Sequence, residues 1–188
     1  MTAHVLGSEP YAWPYDGRIG GAHVALVLAG WDEGWKGRAA DNGAPNQRCE
    51  ELAAAVASIG GTVFVLAHGG SPALPVTSAS ASVVAVPAVD GFYGTPLDAA
   101  LRVAGLTHLL VAGHGMEAAV HSTLRSANDR GYECLLITDA CSLLDPELGE
   151  ASVKTVTMSG GIFGAIGCTQ AVLDALAEID PIPTPVTA

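Results

Sequence analysis

Short runs of branched apolar residues alternate along this chain with stretches of helical spacing. Residues 23–28 (HVALVL) and 62–67 (TVFVLA) are continuous apolar runs of strand length, as expected for strands covered on both faces. Residues 82–86, 107–112, 133–138 and 162–166 predict four more strands. Residues 46–59 (NQRCEELAAAVASI) carry a helical period and stop at Gly60-Gly61. Thr95 followed by Pro96 predicts a cap and a first-position proline for a helix through Ala104. Further helices are predicted over 116–130, 147–158 and 169–178. Strands alternating with helices imply βαβ units, a mostly parallel sheet and right-handed crossovers. Residues 1–22 read as an irregular arm whose aromatics lie on the domain or on a neighbouring subunit. The proline-rich tail, 180–188, reads as frayed or docked on a partner. No repeat or linker divides the chain, so one domain over 1–188 is expected.

Sites in such sheets lie beyond the carboxyl ends of the strands. That singles out residues 29–31, His68, 86–93, 113–119 and 139–142. Within them, 108–139 (HLLVAGHGMEAAVHSTLRSANDRGYECLLITD) reads as strand, glycine turn, helix and strand.

Composition narrows the possible partners. A length of 188 residues suits one α/β domain, and 49% hydrophobic against 14% charged residues fills a sizeable core, although alanine inflates the first figure. The net charge of −11, from 19 acidic and 8 basic residues with no basic cluster, argues against nucleic acid or an anionic membrane as partner. No apolar run approaches the ~18–20 residues needed to span a bilayer. The opening MTAHVLGSEPYAWPYDG lacks a basic segment followed by an apolar one, so a cleaved leader is not expected. Cys49, Cys134, Cys141 and Cys168 show no CxxC spacing. They fit a reduced, cytoplasmic chain with no structural metal and no cofactor.

The strand ends carry a family resemblance. The stretches PYAWPYDG (10–17), GFYGTPLDAALR (91–102), VHSTLRSANDRGYECLL (120–136) and MSGGIFGAIG (158–167) resemble the isochorismatase-like cysteine hydrolases, and more narrowly their biuret and ureido amidohydrolase branch. The resemblance implies a three-layer α/β/α fold with a Rossmann-like sheet. It also implies a reaction in which a cysteine thiolate attacks an amide or ureido carbonyl, an aspartate carries the proton, and a lysine lowers the thiol pKa. Backbone N–H groups at the helix start stabilise the oxyanion. Carried onto this chain, the aspartate falls on Ala29, the lysine on Val86 and the cysteine on Ala119. All three reactive side chains are absent. Asp32 and Glu33 match the surface-side end of the family motif. Neither lysine, Lys36 nor Lys154, is near the third strand in sequence. The loop over 68–82 is also short for this branch. Joint loss implies a pseudoenzyme that acts as a structural or regulatory subunit, assembling with itself or with a triad-bearing paralogue.

Two other readings stay open. One is a hydrolase of C–N bonds using other residues, such as His114 with Glu117, or Cys168 at a helix start. The other is a small-molecule or dinucleotide binding module that keeps the cup at Ala118–Ala119. The run Gly113-His-Gly115-Met-Glu-Ala118 fits G-x-G-x-x-A after a strand and before a helix, and Asp139 follows at the end of the next strand. His114, His68 and Asp139 are candidates for a proton-transfer or metal cluster, and His114–Gly115 for a cis bond. Trp31, Trp35, Phe92 and Tyr93 are expected to converge on the rim, shaping or plugging a pocket. Glu117 in a first helical turn meets the helix dipole favourably. His121 is expected at solvent or an interface. Cys49, Cys134 and Cys141 read as packing residues.

Overall fold

A computed structural model describes residues 4–15, 17, 19–41, 43–68 and 81–179. Six parallel strands form one sheet: β1 (Val24–Ala29), β2 (Thr62–His68), β3 (Ser82–Val86), β4 (His108–His114), β5 (Glu133–Ser142) and β6 (Ala165–Gly167). Their order across the sheet is β3-β2-β1-β4-β5-β6. The sequence predicted a mostly parallel sheet, and every pairing among the six strands is parallel. β1 is buried at all six positions, which is why it reads as an unbroken apolar run rather than an alternating one.

The helices are α1 (Glu33–Lys36), α2 (Gly43–Ser58), α3 (Leu97–Val103), α4 (His121–Asp129), α5 (Gly149–Gly161) and α6 (Thr169–Ala177). The chain winds from β1 outward through β2 to β3, then returns to β4 and winds the other way to β6. Right-handed crossovers running in opposite directions place their helices on opposite faces of the sheet. α2 and α6 pack together and against β5, while α4 also packs against β5. The order reverses between β1 and β4, so a crevice is expected at their carboxyl ends.

Several elements differ from the sequence reading, among them α3, which starts at Leu97 with Pro96 rather than Thr95 at its N-cap. The helix expected over 116–130 opens as a π-turn, Met116–Val120, before α4 begins. β5 continues to Ser142 instead of ending at residue 138, because its register against β4 shifts between Val111 and Gly113 and so pairs His114 with Ser142. The last strand is shorter than 162–166. Ser159, Gly160 and Gly161 all take positive φ, and the chain is still turning at Ile162. The positive-φ backbone there meets the N-terminal arm. A side chain at Gly161 would lie 2.7 Å from the Tyr11 ring and 3.1 Å from Pro10. The arm is held by antiparallel bridges Val5–Trp13 and Glu9–Ile166. It buries Trp13 completely, with the indole edge-on to His108 at 5.8 Å. Trp13 and Tyr11 thus lie on the domain itself, whereas Tyr15 is largely exposed. Among the described residues no helix is long and apolar enough to cross a membrane. The tail over 180–188 and most of the loop over 68–82 lie outside the described residues.

Candidate functional site

The site is built where β1 and β4 part. Ala29 pairs with Gly113 across the two strands. The backbones approach so closely that a Cβ on Gly113 would stand 2.1 Å from the Ala29 carbonyl oxygen, and Gly113 takes φ +127°. Val86 ends β3 opposite His68, and Ala119 lies in the π-turn after β4. Ala29 and Ala119 are 0% exposed and Val86 2%. No large side chain reaches solvent from these three positions.

The loop after β1 folds back as a plug. Gly30 turns it with φ +63°, and any side chain there would collide with the His114 carbonyl at 2.4 Å. Trp31 then stacks on the His114 ring at 4.9 Å and 21°. Asp32 caps α1: one carboxylate oxygen accepts from the Gly34 and Trp35 N–H groups at 2.9 and 3.1 Å. The other accepts from the His68 N–H at 2.6 Å. One buried carboxylate therefore ties the plug to the end of β2. Trp35 lies on Gly115, where an added Cβ would meet the indole at 2.6 Å. The same indole packs edge-on to His68 at 5.7 Å and carries the Arg38 guanidinium 4.7 Å above the ring. His68 is fixed by backbone on both ring nitrogens. Nδ1 accepts from the Gly30 N–H at 3.2 Å and Nε2 lies 3.0 Å from the Val89 carbonyl. Burial lowers the pKa of His68, against its contacts with the Val89 and Leu66 carbonyls and nearby Asp32.

His114 is fully buried, and its Nδ1 lies 2.8 Å from the Ser142 hydroxyl. Burial, and secondarily the Lys36 charge, push its pKa down to about 4, with Asp32 opposing. The ring is neutral at pH 7. Its Nε2 and the Trp31 Nε1 are buried without a hydrogen-bond partner. A histidine held below its unfolded pKa of about 6.5 takes up protons more readily in the unfolded chain. Its contribution to stability is therefore present above pH 6.5 and lost as pH falls toward 4, by roughly 3 kcal/mol over that window. Urea denaturation at pH 7 and pH 4.5 should show this loss, and His114→Asn should flatten most of it. Equal pH slopes for the two proteins would refute the assignment.

A model of the isochorismatase domain matches residues 44–171. The chain belongs to the isochorismatase family. Among curated relatives, the ureidoacrylate amidohydrolase RutB of Cronobacter sakazakii is 28% identical over 170 residues, 85% of this chain and 70% of that enzyme. RutB of Methylobacterium radiotolerans is 40% identical over 65 residues, 35% of this chain and 25% of that enzyme. The matched stretches thus span a quarter to seven tenths of these two relatives. A cysteine hydrolase of Pseudomonas syringae shares the fold with a TM-score of 0.70 at 18% identity, covering 85% of this chain and 94% of that one. An isochorismatase-like hydrolase of Alkaliphilus metalliredigens does so at 0.71 and 17%, covering 84% and 98%.

On this isochorismatase-family scaffold several expected residues lie elsewhere. Phe92 does not join the tryptophans; it stacks on Tyr132 at 6.0 Å under Arg130, and Tyr93 is 68% exposed. Asp139 does not meet His68 and His114. It caps α6 by accepting from the Thr169 N–H and hydroxyl at 2.8 and 3.0 Å, and it pairs with Arg48 at 3.4 Å. Among the described residues no group of three His, Cys, Asp or Glu side chains is placed to hold a metal. The glycine turn is no open phosphate cradle, since Trp35 covers Gly115 and Ala29 abuts Gly113. His114–Gly115 is not cis; the cis bonds among described residues are Glu9–Pro10 and Trp13–Pro14. Glu117 does more than meet a helix dipole. Its Oε1 accepts from the Leu144 and Asp145 N–H groups at 2.8 and 2.7 Å, strapping the loop after β5 to the π-turn. Ala118 is half-buried beside it. Cys168 is exposed at the start of α6, remote in sequence and fold from the plug. Asp32 is the site residue missed by sequence reasoning; Ser142 lay within the selected 139–142 but was given no role. Asp32 looked like a surface acid, yet it is 1% exposed. Its position before a short amphipathic turn with Trp35 is a capping signal that was available.

Proposed function

We propose that this chain is a non-catalytic isochorismatase-family protein, a cytoplasmic structural or regulatory subunit that assembles with itself or with an active amidohydrolase paralogue. One observation carries the reading. Trp35 packs against Gly115, at the start of the π-turn whose backbone N–H groups the resemblance assigns to the oxyanion at Ala118–Ala119. The positions onto which the resemblance carries the reactive Asp, Lys and Cys are Ala29, Val86 and Ala119, all sealed from solvent. Among the described residues no neighbour supplies the missing chemistry. Asp32 is committed to three N–H groups. His114 is enclosed under Trp31. The buried thiol nearest in the fold, Cys141, is pushed up to about 12 by burial and stays protonated.

The purified chain is expected to release no ammonia from ureidoacrylate, biuret or nicotinamide above the buffer rate. Hydrolysis that disappears in His114→Ala would refute the non-catalytic reading. Capture of a triad-bearing relative from the native host would favour the hetero-oligomer over self-assembly.

A further inference from the structure

At the amino ends of β4 and β5, the end of the sheet away from the plug, lies a cavity of about 610 Å³. His108 and Glu133 are the first residues of those strands, pair in register, and both line it. β4 runs from His108 to His114, so at ~3.3 Å per residue the cavity and the plug lie roughly 20 Å apart. Two distant segments complete the walls. The N-terminal arm supplies Tyr11 and Tyr15, and the positive-φ turn that closes α5 supplies Gly160. A Cβ on Gly160, or on Gly131 in the same wall, would meet nothing within 4 Å, so the space beside both is open. The volume falls in the range of about 300–1,000 Å³ typical of small-molecule sites.

We propose that this cavity binds a small aromatic cation of the amidinium or guanidinium class, its charge on Glu133 and its ring against Tyr11 and Tyr15. The site is distinct from the plugged one and does not depend on whether that one reacts. Charge selects the ligand. Among the described residues lining the cavity there is one carboxylate, and neither a lysine nor an arginine. Arg102 pairs with Asp98 at 3.2 Å and Arg130 lies 4.8 Å over the Phe92 ring; neither reaches the cavity wall. The Glu133 side chain is 19% exposed and is held from two sides. One oxygen accepts from the Tyr15 N–H, and the other lies 3.8 Å from the His108 Nε2. His108 is positioned in turn, with its Nδ1 2.9 Å from the Thr107 hydroxyl and its ring edge-on to Trp13. A carboxylate held in place beforehand has little freedom to lose on binding. Its field reaches the wall: burial, and then the Glu133 charge, push the Tyr11 hydroxyl up to about 12. That phenol therefore stays neutral at pH 7 and adds aromatic surface. Tyr11 and Tyr15 meet edge to face at 5.4 Å and 85°, and Tyr15 is 78% exposed, so its ring can close on a ligand. A cation beside such rings is attracted by their π faces, and a flat ligand body gains stacking area. A planar amidinium also matches a carboxylate through paired N–H bonds, which a compact ammonium does not. The net charge of −11 favours the approach of a cation over an anion.

Benzamidine, benzamide and benzoate share one shape and differ in charge, so titrating each into the full chain separates charge from fit. Calorimetry should give benzamidine a Kd of about 1 mM or below, benzamide at least about tenfold weaker binding, and benzoate no measurable heat. Glu133→Gln keeps an acceptor for the Tyr15 N–H and removes the charge. It should weaken benzamidine by at least about tenfold, with circular dichroism unchanged. Tyr15→Ala should weaken it roughly threefold, the loss of one exposed cation–π contact. In nuclear magnetic resonance spectra of the wild type, benzamidine should shift the amides of Tyr15 and Glu133 and leave those of Gly113 and Gly115 in place. Benzamide or benzoate binding as tightly as benzamidine would overturn the proposal. So would full affinity in Glu133→Gln, shifts centred on Gly113, or no binding of benzamidine at ~10 mM.

Discussion

Gly113→Ala is expected to cost more than about 3 kcal/mol, a large fraction of the ~5–15 kcal/mol that holds an ordinary domain folded. Two effects add. The φ of +127° is one that only glycine adopts without strain. The new Cβ would also sit 2.1 Å from the Ala29 carbonyl oxygen and 2.9 Å from its nitrogen. Both are backbone atoms of β1, so the clash is relieved only by moving a strand that is buried at every position. Gly131→Ala is the control. Its φ is also positive, at +86°, and nothing lies within 4 Å of its Cβ, so it should lose only about 1 kcal/mol from strain. Urea denaturation of both variants separates strain from collision. A difference between them of less than about 1 kcal/mol would show that β1 and β4 can part easily.

That close approach also explains what could be read from the sequence. Strand positions were legible because a parallel sheet covered on both faces demands uninterrupted apolar runs, as in HVALVL and TVFVLA. The glycine turn after β4 was legible because Gly113 and Gly115 bracket a single residue between a strand and a helix. The contents of the turn were not legible. Whether Trp35 shapes an open pocket or fills it depends on the direction in which the Gly30 turn sends the loop. That direction is set by Asp32 bonding to the end of β2, 36 residues away. A hydrogen bond of that separation leaves no periodic trace. The extension of β5 was hidden for a related reason. DACS has no apolar run, and its strand state comes from the register shift that sets Ser142 beside His114. Phe92 was misplaced because sequence puts it near the rim, whereas its ring turns to Tyr132 and Arg130.

Restoring the three reactive side chains tests whether the site lacks only chemistry. The triple variant Ala29→Asp, Val86→Lys, Ala119→Cys is expected to show no hydrolysis of ureidoacrylate and to lose several kcal/mol of stability. The carboxylate and ammonium would enter positions 0% and 2% exposed, where charge is costly unless paired with good geometry. The thiol would meet the conditions that already hold Cys141 near 12, with burial as the main cause. A thiol in that state is not a nucleophile at neutral pH. Trp35 packs against Gly115 at the start of the same π-turn, so the indole has no room to retreat toward it. Adding Trp35→Ala removes that plug and lets water reach the grafted pair. The quadruple variant should then gain measurable turnover that the triple lacks, with Trp35→Ala alone remaining inactive. Turnover by the triple variant would show that Trp35 yields to substrate, and the filled cup would then be no barrier. A folded quadruple variant without activity would place the loss deeper than the plug, in the approach of β1 to β4 that Gly113 and Ala29 now fix.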